Sequence, residues 1–274
     1  MEVPVTEING LTRVVVHLAY PSAHVKTPQL FNARCRERGI NAVLVPWQVH
    51  PDHLAKVMAA LRVSESVSGV IVTIPHKETV AALCDRLDGA AEQLSVANVV
   101  RKDDGGLWHG RALDGVGFVA GLKAEGLPVK GRNALLAGAG GVAVAIAEAL
   151  LAEGVASLTI ANRTRDRAEK LAERLRRIYP EAAISAGTAD ATGCDLIVNG
   201  TSLGMKETDS LPLDIETVAS GAIVAEVIME PAETRLLQEA ARRGAIPHAG
   251  RHMLTGQIDA FIDFLLPEQA VAAA

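Results

Sequence analysis

Gly138, Gly140 and Ala143 stand at the spacing G-x-G-x-x-A. They lie between an apolar run, Asn133 to Ala137, and a helical run rich in Ala, Ile and Leu. In such a turn the first glycine permits a tight reversal, the second lets the backbone approach a ligand, and the alanine keeps the helix close to the strand. Free N–H groups at the helix start, with the helix dipole behind them, attract anions. The chemistry is the cradling of a pyrophosphate. A second apolar run, Ser157 to Ala161, ends in Asn162-Arg163-Thr164, with Arg167 one helical turn further on. An NAD site usually has Asp or Glu here for the ribose 2′-hydroxyl. A carboxylate would repel a 2′-phosphate, whereas a guanidinium forks onto it. The pattern therefore favours NADP over NAD. The alternative makes Arg163, Arg165 and Arg167 the solvated face of a helix. That suits Arg165 but not Arg163, which sits at the carboxyl end of a strand.

Two further residues could move a proton. Val72-Thr73-Ile-Pro-His-Lys77 ends an apolar run in Thr73 and sets Lys77 at a helix start. Leu113-Asp114-Gly-Val-Gly117 places an acid at the start of another helix. An ordinary lysine, with a pKa of about 10.4, is a poor base near neutrality. Burial lowers that value and a neighbouring carboxylate raises it. The plainer alternatives are a surface lysine after a proline turn and an N-cap aspartate.

The elements that must position these groups alternate short β-branched runs with helical patterns. That signals α/β layers with mostly parallel sheets. Strands are expected at Arg13 to Leu18, Ala42 to Pro46, Gly69 to Ile74 and Val96 to Val100, with helices at Gln29 to Arg38, His53 to Val63 and Glu78 to Leu87. Asp103-Asp104-Gly105-Gly106 reads as a hairpin tip. A connecting helix is expected over Asp114 to Glu125. The second half has strands at Asn133 to Ala137, Ser157 to Ala161, Ala182 to Ser185, Leu196 to Asn199 and Ala222 to Glu226. The Ala-rich end is expected to fray. At 274 residues the chain is long enough for two domains. Two α/β units so joined leave a cleft, where ligands favour binding.

Composition excludes other classes. The net charge of −5 and the 3% of aromatic residues give neither a basic footprint nor a base-stacking surface for nucleic acid. No apolar run approaches the ~20 residues of a membrane span. No charged-then-apolar leader opens the chain, so a cytoplasmic location is expected. Cys35, Cys84 and Cys194 are widely spaced and odd in number, which suits free thiols and neither a metal site nor a disulfide framework. The eight histidines show no metal-ligand pair. The expected partner is a small molecule. Monomer and homodimer are not distinguished.

Several motifs together resemble the shikimate dehydrogenase family. They are Val-Thr-Ile-Pro-His-Lys77, Val-Ala-Asn98-Val, Leu-Asp114-Gly-Val-Gly-Phe, Gly138-Ala-Gly-Gly141, Asn162-Arg-Thr164 and Asn199-Gly-Thr-Ser-Leu-Gly-Met205. Pro231-Ala-Glu-Thr-Arg-Leu-Leu237 and Gly250-Arg-His-Met-Leu-Thr-Gly-Gln257 complete the series, which begins at Tyr20-Pro-Ser-Ala-His-Val-Lys-Thr-Pro28. The resemblance implies an N-terminal α/β substrate domain, residues 1–113 with 250–274, and a Rossmann-type NADP domain, residues 114–249. It implies reversible NADP-linked oxidation of a secondary ring alcohol, with Lys77 and Asp114 as the catalytic pair. It points to substrate ligands at Thr27, Thr73, Asn98 and Gln257. Beyond Gly138, Gly140, Arg163 and Arg167, it puts cofactor contacts at Ala139, Gly141, Val142, Asn162, Thr164, Thr201, Ser202, Leu203, Val227 and Gly250.

The departures bear on the substrate. The family usually holds the substrate carboxylate with two serines, where this chain has Val25 and Thr27. Ile71, Leu113 and Met229 also replace usually polar residues. A site built to bond a polar group rejects analogues lacking it, and that discrimination is weakened here. The expected substrate is shikimate or 3-dehydroshikimate, or a close analogue. The alternatives are quinate or another ring polyol with NAD, a methylene-tetrahydrofolate dehydrogenase and a non-catalytic NADP-binding regulator. The methylene-tetrahydrofolate class would not predict Asp114, Asn199 to Met205 or Gln257. The regulator would be expected to have lost Lys77 or Asp114, and both are present.

Overall fold

The computed structural model describes residues 7–23 and 25–267. His24 and the Ala-rich end lie outside the described residues. The chain divides into two compact units. One runs through Leu113 and resumes at Gln257, and the other is Asp114–Gly256.

The first unit contains β1 (Arg13–Ala19), α1 (Thr27–Glu37), β2 (Ala42–Gln48), α2 (Leu54–Val63), β3 (Val67–Val72), α3 (Lys77–Ala82), β4 (Arg86–Leu87), α4 (Ala90–Leu94), β5 (Val99–Lys102) and β6 (Trp108–Arg111). Its sheet has the order β2-β1-β3-β5-β6-β4. β1 runs parallel to β2 and β3, while β5 is antiparallel to β3 and β6. All six residues of β3 are buried, as expected of a strand covered on both faces. The β5–β6 hairpin turns at the predicted tip. There Asp103 Oδ1 accepts from the N–H groups of Gly105 and Leu107, at 3.0 and 2.8 Å.

Two expectations need correcting here. The helix read over Glu78 to Leu87 stops at Ala82. The Asp85 carboxylate accepts the Trp108 N–H at 2.7 Å, and the Asp85 N–H bonds the Trp108 carbonyl at 2.9 Å. These long-range bonds draw Arg86–Leu87 into the sheet beside β6. The strand expected from Val96 begins at Val99: Ala97 turns its N–H out of the sheet to the Lys77 carbonyl, while Asn98 still bonds β3 and β6 through its backbone.

The second unit contains α5 (Asp114–Ala124), β7 (Asn133–Ala137), α6 (Gly141–Ala152), β8 (Ser157–Ala161), α7 (Arg165–Ile178), β9 (Ala183–Gly187), β10 (Leu196–Asn199), β11 (Ile223–Glu226), α8 (Arg235–Arg242), β12 (Ile246–His248) and the start of α9 (Arg251–Leu265). The sheet order is β12-β11-β10-β7-β8-β9, and every neighbouring pair is parallel. This is the doubly wound order, with its switch point between β7 and β10. Because all six strands are parallel, their carboxyl ends share one edge, the edge where such sheets bind ligands. α5 lies hard against α6. A Cβ on Gly115 would stand 2.0 Å from the Ala145 carbonyl oxygen, so the approach requires glycine.

From Gln257 onward, α9 belongs to the first unit. Ile258, Phe261, Ile262, Phe264 and Leu265 are buried there. Burial of each such side chain contributes about 1.5–3 kcal/mol. A Cβ on Gly69 of β3 would lie 2.7 Å from Leu265 Cδ2, so helix and strand pack with nothing between them. Arg34 of α1 forks onto Asp259 with bonds of 2.8 and 2.9 Å. The pair is half-exposed, so its contribution is about 0.2–1 kcal/mol.

Candidate active site

Lys77 is the first residue of α3, five positions beyond the end of β3. The residue before it is pinned. His76 is buried, and its Nε2 pairs with the Val49 carbonyl at 2.9 Å. Burial holds the imidazole pKa below its usual value. The neutral ring therefore donates its N–H to that carbonyl. The His76 backbone N–H bonds the Thr73 carbonyl at 3.0 Å, and the Lys77 carbonyl accepts the Ala97 N–H at 3.0 Å. Next to Ala97, Asn98 is 2% exposed. Its carbonyl accepts the Val72 N–H at 2.8 Å, and its Oδ1 accepts the Leu113 N–H at 2.8 Å. Thr73, Lys77 and Asn98 thus form one connected patch at the end of β3. With Oδ1 taken by Leu113, Nδ2 is the Asn98 group that can serve a ligand, as a donor. Thr27 opens α1 and Gln257 lies in α9, both buried, on the two helices joined by Arg34 and Asp259. The sequence reading missed His76. Its signal was its place between Pro75 and Lys77.

The remaining predicted residues lie in the second unit, where Asp114 begins α5 and is buried. Gly138 has φ +120°, and a Cβ there would stand 2.9 Å from the Gly200 carbonyl oxygen. The turn over Gly138, Ala139 and Gly140 leads into α6, where Gly141 and Val142 form the first turn. Gly140 is the N-cap of α6, and no side chain caps this helix. A Cβ added at Gly140 or Gly141 would meet nothing within 4 Å. Bare N–H groups beside open space fit a pyrophosphate.

Asn162 follows β8 and donates from Nδ2 to the Thr164 carbonyl at 2.8 Å, and Thr164 is the N-cap of α7. Arg165 pairs with Glu169 at 2.8 Å along the helix. Arg163 and Arg167 are exposed, and among the described residues neither guanidinium has a hydrogen-bond or ion-pair partner. Thr201, Ser202 and Leu203 follow β10, and Val227 follows β11. Gly250 abuts that last loop, since a Cβ there would lie 2.3 Å from the Ile228 carbonyl oxygen.

Glu226, the last residue of β11, was not anticipated. It is fully buried. Oε2 accepts from Asn199 Nδ2 at 2.9 Å and Oε1 from Thr234 Oγ1 at 2.8 Å. The backbone N–H groups of Ile228 and Val227 also donate to it. Burial outweighs these bonds and pushes the carboxyl up to about 7. The signal in the sequence was an acid ending an otherwise apolar run.

The folded chain holds this proton more tightly than the unfolded chain, whose glutamate titrates near 4.5. The group's stabilising contribution is fully present below pH 4.5 and is lost as the pH rises through about 7. Glu226→Gln cannot titrate. Between pH 5 and pH 8 it should gain on the wild type by roughly 3 kcal/mol, at about 1.4 kcal/mol per pKa unit. Urea unfolding of both proteins at the two pH values measures the difference. Parallel pH profiles would show that Glu226 does not titrate in this range.

Among the described residues, no cluster of three or more His, Cys, Asp or Glu could hold a metal ion. None of their helices is long and apolar enough to cross a membrane.

These features define a two-unit α/β protein with a Rossmann-type dinucleotide unit. Residues 18–100 match the family described as shikimate dehydrogenase substrate binding domain, and residues 122–204 match shikimate / quinate 5-dehydrogenase. The chain is 40% identical over 261 residues to the shikimate dehydrogenase (NADP(+)) of Rubrobacter xylanophilus, covering 94% of this chain and 91% of that one. The shikimate 5-dehydrogenase of Thermus thermophilus, solved with NADP(H) and shikimate, is similar at a TM-score of 0.84 and 27% identity, over 96% of this chain and 100% of that one. The 5-ketofructose reductase of Gluconobacter sp. strain CHM43 is similar at a TM-score of 0.85 and 27% identity, over 96% of each chain. The chain belongs to the shikimate dehydrogenase family.

Proposed function

We propose that this chain is an NADP-dependent oxidoreductase acting reversibly on a secondary alcohol or ketone of a hydroxylated cyclohexene carboxylate, namely shikimate and 3-dehydroshikimate or a close analogue. The observation that carries this reading is the match along more than nine-tenths of the chain to an NADP-dependent shikimate dehydrogenase, with Lys77 and Asp114 both present. A bound nicotinamide would supply hydride transfer to and from the carbinol carbon. Lys77 takes the hydroxyl proton during oxidation and returns it during reduction. Asp114 is the acid of the catalytic pair. Asn98 donates from Nδ2 to a ring hydroxyl, with Thr73 and Gln257 as further hydroxyl ligands and Thr27 on the carboxylate. The uncapped start of α6 holds the pyrophosphate, and Arg163 with Arg167 holds the 2′-phosphate. The substrate residues fall in the unit that ends at Leu113 and resumes at Gln257, and the cofactor residues fall in Asp114–Gly256. The free thiols of Cys35, Cys84 and Cys194 suit a reducing, cytoplasmic setting.

A second reading concerns the carboxylate. Val25 is half-buried, two residues before Thr27, and offers no hydrogen bond to an anion. One similar structure is a 5-ketofructose reductase. A polyol without a carboxylate would lose nothing at Val25. Purified protein assayed with shikimate, quinate and 5-ketofructose, each with NADP and NAD, separates the readings. We expect NADP to be preferred and shikimate to turn over with a high KM. Val25→Ser should lower that KM about tenfold with little change in kcat, as a hydrogen bond to a charged group does. High efficiency of the unaltered chain with shikimate would remove the altered-specificity reading. Failure with every ring alcohol would remove the main one.

A further inference from the structure

Resting on the reading that the second unit binds NADP, we propose that Glu226 is a positioning residue that locks together the two loops flanking the nicotinamide half of the cofactor. Strand order gives the orientation. Arg163, assigned to the 2′-phosphate, follows β8, so the adenosine half lies on the β8 side of the switch point between β7 and β10. The pyrophosphate lies at the start of α6. The other half then extends over the ends of β10 and β11.

Those ends are Asn199 and Glu226, which are register partners and fully buried. The Asn199 side chain is fully used. Its Oδ1 accepts from the Thr201 N–H at 3.0 Å and from Thr201 Oγ1 at 2.6 Å. Its Nδ2 donates to the Leu203 carbonyl and to Glu226 Oε2, both at 2.9 Å. This fixes the loop after β10, which carries Thr201, Ser202 and Leu203. On the other side, Glu226 Oε1 accepts from Thr234 Oγ1 at 2.8 Å, and Thr234 caps α8 by accepting the Leu237 N–H at 3.3 Å. This fixes the loop after β11, which carries Val227. The two loops also touch, for a Cβ on Gly204 would lie 3.2 Å from Ile228 Cδ1.

The partners of Glu226 are an amide, a hydroxyl and backbone N–H groups, all of them donors. A carboxylate satisfies them all. In Glu226→Gln the new NH2 must face either Asn199 Nδ2 or the Thr234 hydroxyl, so one loop loses its tie.

The test compares equilibrium binding of NADP+ and of 2′,5′-ADP, which carries the phosphorylated adenosine but no nicotinamide, to the full-length protein at pH 8. For Glu226→Gln we expect NADP+ to bind about tenfold more weakly, as one lost hydrogen bond to a charged group predicts, with 2′,5′-ADP unchanged within about twofold. Unchanged NADP+ binding overturns the assignment. Equal weakening of both ligands overturns it too, because that marks a general loss of structure. If Glu226→Gln does not fold, Thr234→Val, which unties the loop after β11 alone, is judged by the same two results with an expected loss of about threefold. Wild-type protein that binds neither ligand would instead overturn the cofactor reading, and this assignment with it.

Discussion

Replacing Lys77 with alanine lowers turnover about a thousandfold, the middle of the range for a positioned proton-transfer group. The NADP dissociation constant changes by less than about twofold, since the groups assigned to the cofactor lie in the other unit. His76 bonded to the Val49 carbonyl and Ala97 bonded to the Lys77 carbonyl hold the backbone at this position, so the truncation removes a functional group and leaves its frame. Lys77→Arg sharpens the test. Arginine keeps the positive charge but does not deprotonate in proteins, so it should not restore turnover. NADPH absorbance follows the reaction, and fluorescence titration follows binding. An alanine variant that binds NADP and keeps most of its turnover would exclude Lys77 as the proton carrier. An arginine variant with near-normal turnover would assign it an electrostatic role instead.

Arg163→Ala raises the KM for NADP by about 10- to 100-fold, the loss of a charge-assisted hydrogen bond worth roughly 1.5–3 kcal/mol. The KM for NAD, which has no 2′-phosphate, moves by less than about threefold. Arg163 has no partner among the described residues, so its loss disturbs no internal bond. Arg165→Ala is the matched control. That side chain is paired with Glu169, is largely exposed, and should leave both constants unchanged. An equal effect of Arg163→Ala on the two cofactors would refute its assignment to the 2′-phosphate.

The second unit is the more legible half of the sequence. β7, β8 and β10 lie where apolar runs meet glycine, asparagine and arginine, and Arg165 behaves as the solvated helix residue it was read to be. The first unit hides more. β6 reads Trp108-His-Gly-Arg111, without the apolar alternation that marks a strand, and it forms because its partners supply the ladder. α3 is cut short by bonds between Asp85 and Trp108, which no local pattern announces. Glu226 shows in the sequence only as an acid ending an apolar run, and its role depends on Asn199 and Thr234, which no local pattern announces. The four apolar departures also divide. Ile71 and Leu113 are buried in the core, whereas Val25 and Met229 are half-buried. Sequence alone could not separate a change in packing from a change in a binding surface.

The return of α9 to the first unit has a consequence for the order in which the protein can be made. The sheet of the first unit is translated before the second unit, yet the residues that cover Gly69 and pack Phe264 against His109 come after it in the chain. Until Gln257 to Leu265 leave the ribosome, the nascent first unit lacks part of its core. Its apolar face is open to solvent, to chaperones and to other unfinished chains. The second unit, Asp114–Gly256, is continuous and completes first. Domains generally finish from the N-terminus as they are synthesised. In this chain that order is reversed.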